Sequence, residues 1–91
     1  MNEIIQIRVL FFASIRERTG VKQLELDIPA HSQVKDLKNL LKELYPAHES
    51  SWNTVLIALN RQYAFDEEEI PDQSEVAFFP PVSGGISYLR L

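Results

Sequence analysis

Hydrophobic positions recur along this chain with two different periods, and the switches between them mark its elements. From Ile4 to Phe12 the run IIQIRVLFF places Ile5, Ile7, Val9 and Phe11 on one face of a strand. The other face carries Gln6 and Arg8, but also Leu10 and Phe12, a pair that a purely solvated face does not need. Ala13 to Gly20 reads as a polar connection with Thr19-Gly20 as its turn. Residues 22–28, KQLELDI, alternate cleanly, which predicts Leu24, Leu26 and Ile28 inside and Gln23, Glu25 and Asp27 outside. The two strands are expected to pair as an antiparallel hairpin with a longer loop.

The period then changes to that of a helix. Pro29 stops the strand, and Ser32 is a good N-cap for a helix from about Gln33 to Tyr45. Val34, Leu37, Leu41 and Leu44 recur at three- and four-residue spacing, and Leu40 widens the stripe. Pro46 ends the helix, because the residue before a proline is pushed out of the helical region. His48 to Asn53 reads as a loop in which Trp52 covers an edge of the core. Thr54 to Leu59 is apolar and β-branched enough for a buried strand. Asn60-Arg61-Gln62 makes a turn, and Tyr63-Ala64 starts a short return strand. Asp66 to Glu69 is an acidic run expected to be a solvated loop, and Pro71 to Ser74 is a further turn. Residues 75–79, EVAFF, put Val76 and Phe78 inward, with Glu75, Ala77 and Phe79 outward.

The order β-β-α-β-β with a short extra element predicts a two-layer α+β domain, a sheet packed on one main helix. The domain is expected over residues 1–79, followed by an extended, flexible tail over 80–91. That tail opens with Pro80-Pro81, which cannot continue a paired central strand and favour a stiff, polyproline-like rod. Val82, Ser83, Gly84 and Gly85 follow, and the two glycines can pass where any side chain would clash. A stiff spacer ending in bare backbone suits a tail that enters another protein's active site.

Composition narrows the function classes. At 91 residues the chain makes one domain, and a net charge of −4 argues against nucleic acid. The chain has no cysteine, which removes disulfides, cysteine metal sites and thiol nucleophiles. His31 and His48 lie far apart without a ligand pattern, so no metal site is expected. No apolar run approaches the ~20 residues needed to span a bilayer. With no signal-peptide pattern either, a cytoplasmic location is expected and no membrane partner.

Four segments together, LFFASIRERTG, LKNLLKEL, ALNRQYA and EVAFFPPVSGG, resemble the small, sulfur-carrying subunit of molybdopterin synthase, a MoaD-like protein. The likeness runs from Ile7 to Gly85, and the last motif is its most specific part. It implies a ubiquitin-like β-grasp fold, in which the first and last strands are parallel neighbours at the sheet centre. Phe12 and Phe79 would then share the outer face near Leu10 and Ala77, an apolar patch beside the root of the tail. The resemblance also implies a function in molybdenum cofactor biosynthesis. A terminal glycine, here Gly85 with Gly84 beside it, is adenylated by a MoeB-like activating enzyme that uses ATP, and converted to a thiocarboxylate. The tail enters a MoaE-like large subunit and donates sulfur to precursor Z, two donations building the dithiolene. The carrier itself binds no cofactor and needs no acid or base of its own, so it is a donor subunit of a sulfurtransferase complex. The partner-facing positions that the resemblance implies fall on Phe12, Tyr63 and Phe79, with Pro80, Pro81, Val82 and Ser83 leading to the glycines.

This chain departs from that pattern by continuing as Ile86-Ser87-Tyr88-Leu89-Arg90-Leu91. With Ile86 attached, Gly85 has a peptide bond and no free carboxylate. Three origins are open: an extension trimmed by a tail-processing protease, the start of a fused large subunit, or a lineage or cloning tail. Two other functions also stay open. One is a sulfur carrier for thiazole or tRNA thiolation; the other is a ubiquitin-like interaction module whose Gly-Gly is a flexible join. Arg16, Arg18 and Lys22 are expected as exposed charge, and Arg61 as a turn residue.

Overall fold

A computed structural model describes the backbone of residues 3–81 and the side chains of all of these except 48–51. Nine elements follow in chain order: β1 (Ile4–Phe11), α1 (Ala13–Thr19), β2 (Gln23–Pro29), α2 (Val34–Leu44), a 3-10 turn (Pro46–His48), α3 (Glu49–Thr54), β3 (Leu56–Leu59), β4 (Gln62–Tyr63) and β5 (Glu75–Phe79). The five strands form one mixed sheet in the order β2-β1-β5-β3-β4. β1 and β5 are parallel neighbours at its centre, in a register that sets Val9 against Val76 and Phe11 against Phe78. β2 pairs antiparallel with β1, and β3 antiparallel with β5, so the expected hairpin and the expected central pair are both present.

Alternation decides which residues enter the core. Ile7, Val9, Phe11, Val76 and Phe78 are buried on one face of the sheet, where Val34, Leu37 and Leu41 of α2 meet them. Of the predicted inward residues of β2, Ile28 is buried, while Leu24 and Leu26 pack against the core and stay partly open. β2 is an edge strand, and less of the helical layer covers it.

Three expectations need correction. Ala13 to Thr19 is a helix and not a polar connection. Ile15 alone anchors it in the core, Thr19 Oγ1 donates to the Ile15 carbonyl at 2.9 Å, and Gly20 N–H closes it on the Arg16 carbonyl at 2.8 Å. A seven-residue helix with one buried position leaves too little periodicity to read. Residues 48–53 are likewise helical in part, since α3 begins at Glu49 and runs through Thr54; β3 accordingly starts at Leu56. Trp52 in α3 does not cover an edge: it is fully buried, with ring centroids 5.6 Å from Phe11 and 5.9 Å from Phe78. Its indole N–H points to the Tyr45 carbonyl at 3.5 Å, a partner that lets so large a polar-tipped ring go inside.

The start of α2 also differs in detail. The N-cap is Gln33, whose N–H is taken by the Asp36 carboxylate at 2.8 Å. Ser32 instead ties the approach, donating its hydroxyl to the Pro29 carbonyl at 2.6 Å. The acidic run is exposed as expected, but its backbone has a structural use. The carbonyls of Glu68 and Asp66 accept from Val34 N–H and Lys35 N–H at 2.9 and 3.0 Å. Two of the unpaired donors at the helix start are thereby satisfied by this loop. Asp66 holds Lys38 at 3.1 Å and Glu69 meets His31 at 3.0 Å, which fastens the same loop to the helix and its approach.

Gly20 caps α1 at φ +74, a left-handed conformation, yet a Cβ built there meets nothing within 4 Å. The requirement is therefore conformational and not steric. Gly20→Ala should cost about 1 kcal/mol from the backbone alone, seen as a lower midpoint in thermal unfolding. An unchanged midpoint would mean that the cap relaxes freely.

Candidate functional site

The outer face of the sheet, away from the helices, is built by the residues that alternation left over. Backbone pairing of β1 with β5 extends one residue past the strand, because Phe12 N–H donates to the Phe78 carbonyl at 3.1 Å. Phe12 therefore stands beside Phe79 just as Phe11 stands beside Phe78, with the opposite sidedness. The rings of Phe12 and Phe79 stack at 4.8 Å between centroids and 8° between planes. The chain then bends sharply at Ala13, at φ +51, into α1.

Beside this stack the sheet carries small side chains. Ala77 of β5 pairs with Ala58 of β3, and Ala58 with Tyr63 of β4. Two alanines in one row make a floor, and the aromatics around them make walls. The result is an apolar groove of about 390 Å³ lined by Phe12, Ala58, Tyr63, Ala77 and Phe79, with Arg61 and Glu75 at one end. Tyr63 is 77% exposed, so its ring stands up from the surface and contributes a wall without being packed.

Charge brackets the groove. Glu75 lies 3.9 Å from both Arg8 and Arg61, and Arg8 and Glu25 are register partners across β1 and β2. At the other end the Arg16 guanidinium sits 5.9 Å from the Phe12 ring centroid, and its Nε donates to the Phe11 carbonyl at 3.3 Å. The hairpin that carries Arg61 and Tyr63 is pinned to β5 by Asn60. Asn60 Oδ1 accepts from Glu75 N–H at 2.9 Å, and Asn60 Nδ2 donates to Ser74 Oγ at 3.2 Å.

Phe12, Tyr63 and Phe79, which were singled out in the sequence, are thus gathered on one groove. Pro80 and Pro81 leave β5 directly from it and line a second depression with Ile15, Arg18 and Val55. Val82, Ser83, Gly84 and Gly85 lie outside the described residues, as does the His48 side chain. Of the alanine floor, Ala77 was expected in the outer apolar patch and Ala58 was not. Its only signal is that Ala58 and Ala77 occupy outward positions where a strand surface otherwise takes larger residues. Among the described residues no group of three or more His, Cys, Asp or Glu is placed to hold a metal ion. Among them, too, no helix is long and apolar enough to cross a membrane.

A five-stranded mixed sheet with parallel first and last strands at its centre, crossed on one face by a main helix, defines a ubiquitin-like β-grasp protein. The chain belongs to the ThiS family, whose model matches residues 9–85. It is 37% identical over 81 residues to the molybdopterin synthase sulfur carrier subunit of Arabidopsis thaliana, covering 89% of this chain and 84% of that one. Among solved structures it resembles a putative molybdopterin converting factor, subunit 1, from Pyrococcus furiosus, with a TM-score of 0.77 and 29% identity. That likeness covers 86% of this chain and 99% of the other. A chain from the protein–protein complex of subunits 1 and 2 of the molybdopterin-converting factor of Helicobacter pylori shares the fold at 22% identity and a TM-score of 0.66. There the cover is 89% of this chain and 100% of that one.

The two faces of β5 predict different costs. Phe78→Ala should lose about 3–5 kcal/mol in urea unfolding, because it empties a fully buried ring site. Phe79→Ala gives up mainly one stacked neighbour and should lose about 1 kcal/mol. Equal losses would place Phe79 in the core and remove the groove from consideration.

Proposed function

We propose that this protein is the sulfur-carrier subunit of a molybdopterin synthase, working through a thiocarboxylate at Gly85. The observation that carries the reading is the aromatic groove of Phe12, Tyr63 and Phe79, set where Pro80-Pro81 leave the sheet. Such a groove is a handle that holds a partner while the adjoining tail reaches a reacting centre. Likeness to curated relatives named molybdopterin synthase sulfur carrier subunit supports this pathway over thiazole or tRNA thiolation. The family match ends at Gly85, in keeping with that residue as the donor.

The chemistry follows from the state of the Gly85 carbonyl. Hydrolysis of the Gly85–Ile86 peptide bond, by a processing protease, yields a Gly85 carboxylate and a free amine on Ile86. A carboxylate is a poor electrophile, so an activating enzyme transfers AMP to it from ATP and releases pyrophosphate. Sulfur at the oxidation level of sulfide then displaces AMP, leaving a thiocarboxylate, and a glycine terminus offers that attack the least hindrance. Sulfur passes on to precursor Z in the large subunit, and water replaces it on the Gly85 carbonyl, which returns to a carboxylate. General acids and bases for these steps belong to the partners.

Three measurements test the reading. Intact mass of the protein from its own cells should reveal a chain ending at Gly85, part of it with one oxygen replaced by sulfur. With the activating enzyme and ATP, a chain truncated after Gly85 should accept AMP and the chain through Leu91 should not. Adenylation of the longer chain at Leu91 would overturn the mechanism. Phe79→Ala should weaken binding to the large subunit about tenfold or more while the domain stays folded.

A further inference from the structure

Arg61 stands where the backbone is least comfortable for it. The β3–β4 connection has two residues, Asn60 and Arg61, with φ of +50 and +73. A two-residue hairpin with both residues in the left-handed region favours asparagine first and glycine second. Asparagine is present and does structural work through Glu75 N–H and Ser74. At the second position this chain carries an arginine, whose Cβ makes that conformation costly. Backbone strain of this kind persists where the side chain is needed.

The side chain also has a direction and a setting. It is 87% exposed, it lines the groove at the Glu75 end near Tyr63, and its Nε is 3.9 Å from Glu75 Oε2. Glu75 is only 25% exposed and is shared at the same distance with Arg8, so it does not neutralise Arg61 alone. At the far end of the groove lies Arg16 over Phe12. On a protein of net charge −4, Arg61 is the one cation among the described residues that line this groove, and Arg16 stands outside that lining against the Phe12 ring. A partner that covered it with apolar surface alone would strip water from Arg61 without replacing it.

We propose that the protein surface seated in this groove presents a carboxylate side chain to Arg61, and that this pair sets which partner is accepted. The inference rests on the carrier reading above, with the large subunit as the occupant. Arginine suits the role because its planar fork binds a carboxylate through two hydrogen bonds. The aromatics supply contact area, and Arg61 supplies register and discrimination.

The experiment is a binding titration of the large subunit of molybdopterin synthase from the same cells, at two salt concentrations. The carrier is used as the wild type, Arg61→Gly, Arg61→Gln, Arg61→Lys and Phe79→Ala. Arg61→Gly is the folding control: it relieves the left-handed strain while loosening the unfolded chain, so its Tm should stay within about 3 °C of the wild type or rise. Arg61→Gly and Arg61→Gln should each bind about tenfold more weakly, with a shallower dependence on salt, and Arg61→Lys should fall between. Wild-type affinity and salt dependence in the Gly and Gln variants, with binding lost in Phe79→Ala, would overturn the carboxylate pairing and leave the carrier reading intact. Failure of the wild type to bind the large subunit would overturn both.

Discussion

Parallel pairing of β1 with β5 is the constraint on which the rest of the structure depends. Side chains alternate across a strand, so one register fixes two surfaces at once. Phe11 beside Phe78 closes the core, and Phe12 beside Phe79 opens the groove. A slip of one residue along either strand would turn that strand's inward residues outward and break both pairs. The core would then lose one of its two rings, and the outer stack would lose one of its own. Burial of Phe11 and Phe78 therefore also positions the groove, although neither residue lines it.

Much of this was legible because the strands obey a period of two with few exceptions. In β1 and β5 the alternation alone separated Phe11 and Phe78 from Phe12 and Phe79. That β1 and β5 are neighbours was not in the alternation, since pairing partners leave no mark on a single strand; the family likeness supplied it. What escaped were elements held by few contacts. α1 keeps one residue, Ile15, in the core, and α3 presents Trp52 within a segment rich in polar residues. Such short helices are stabilised by what they pack against, and their own sequence says little. The cap of α2 was misplaced by one residue because Ser32 found a different acceptor in Pro29.

The acidic run between β4 and β5 illustrates how a loop can be solvated and structural together. Its side chains face water, while its carbonyls complete the hydrogen bonds of the first turn of α2. Composition alone discloses only the first of these facts. The groove has a similar history: its walls were visible as outward aromatics, and its depth comes from two alanines that carry no chemical signal. Sites formed by the absence of bulk are read from a structure more readily than from a sequence.

The chain has one tryptophan, and it lies inside the helical side of the sheet among Phe11, Tyr45 and Phe78. The groove lies on the other side. An indole in that position emits from a dry aromatic cage as long as the domain is folded, and from water once it is not. A protein seated against Phe12 and Phe79 leaves the cage untouched. Intrinsic fluorescence of this molecule is thus an optical label for the integrity of its core, and it needs no added dye.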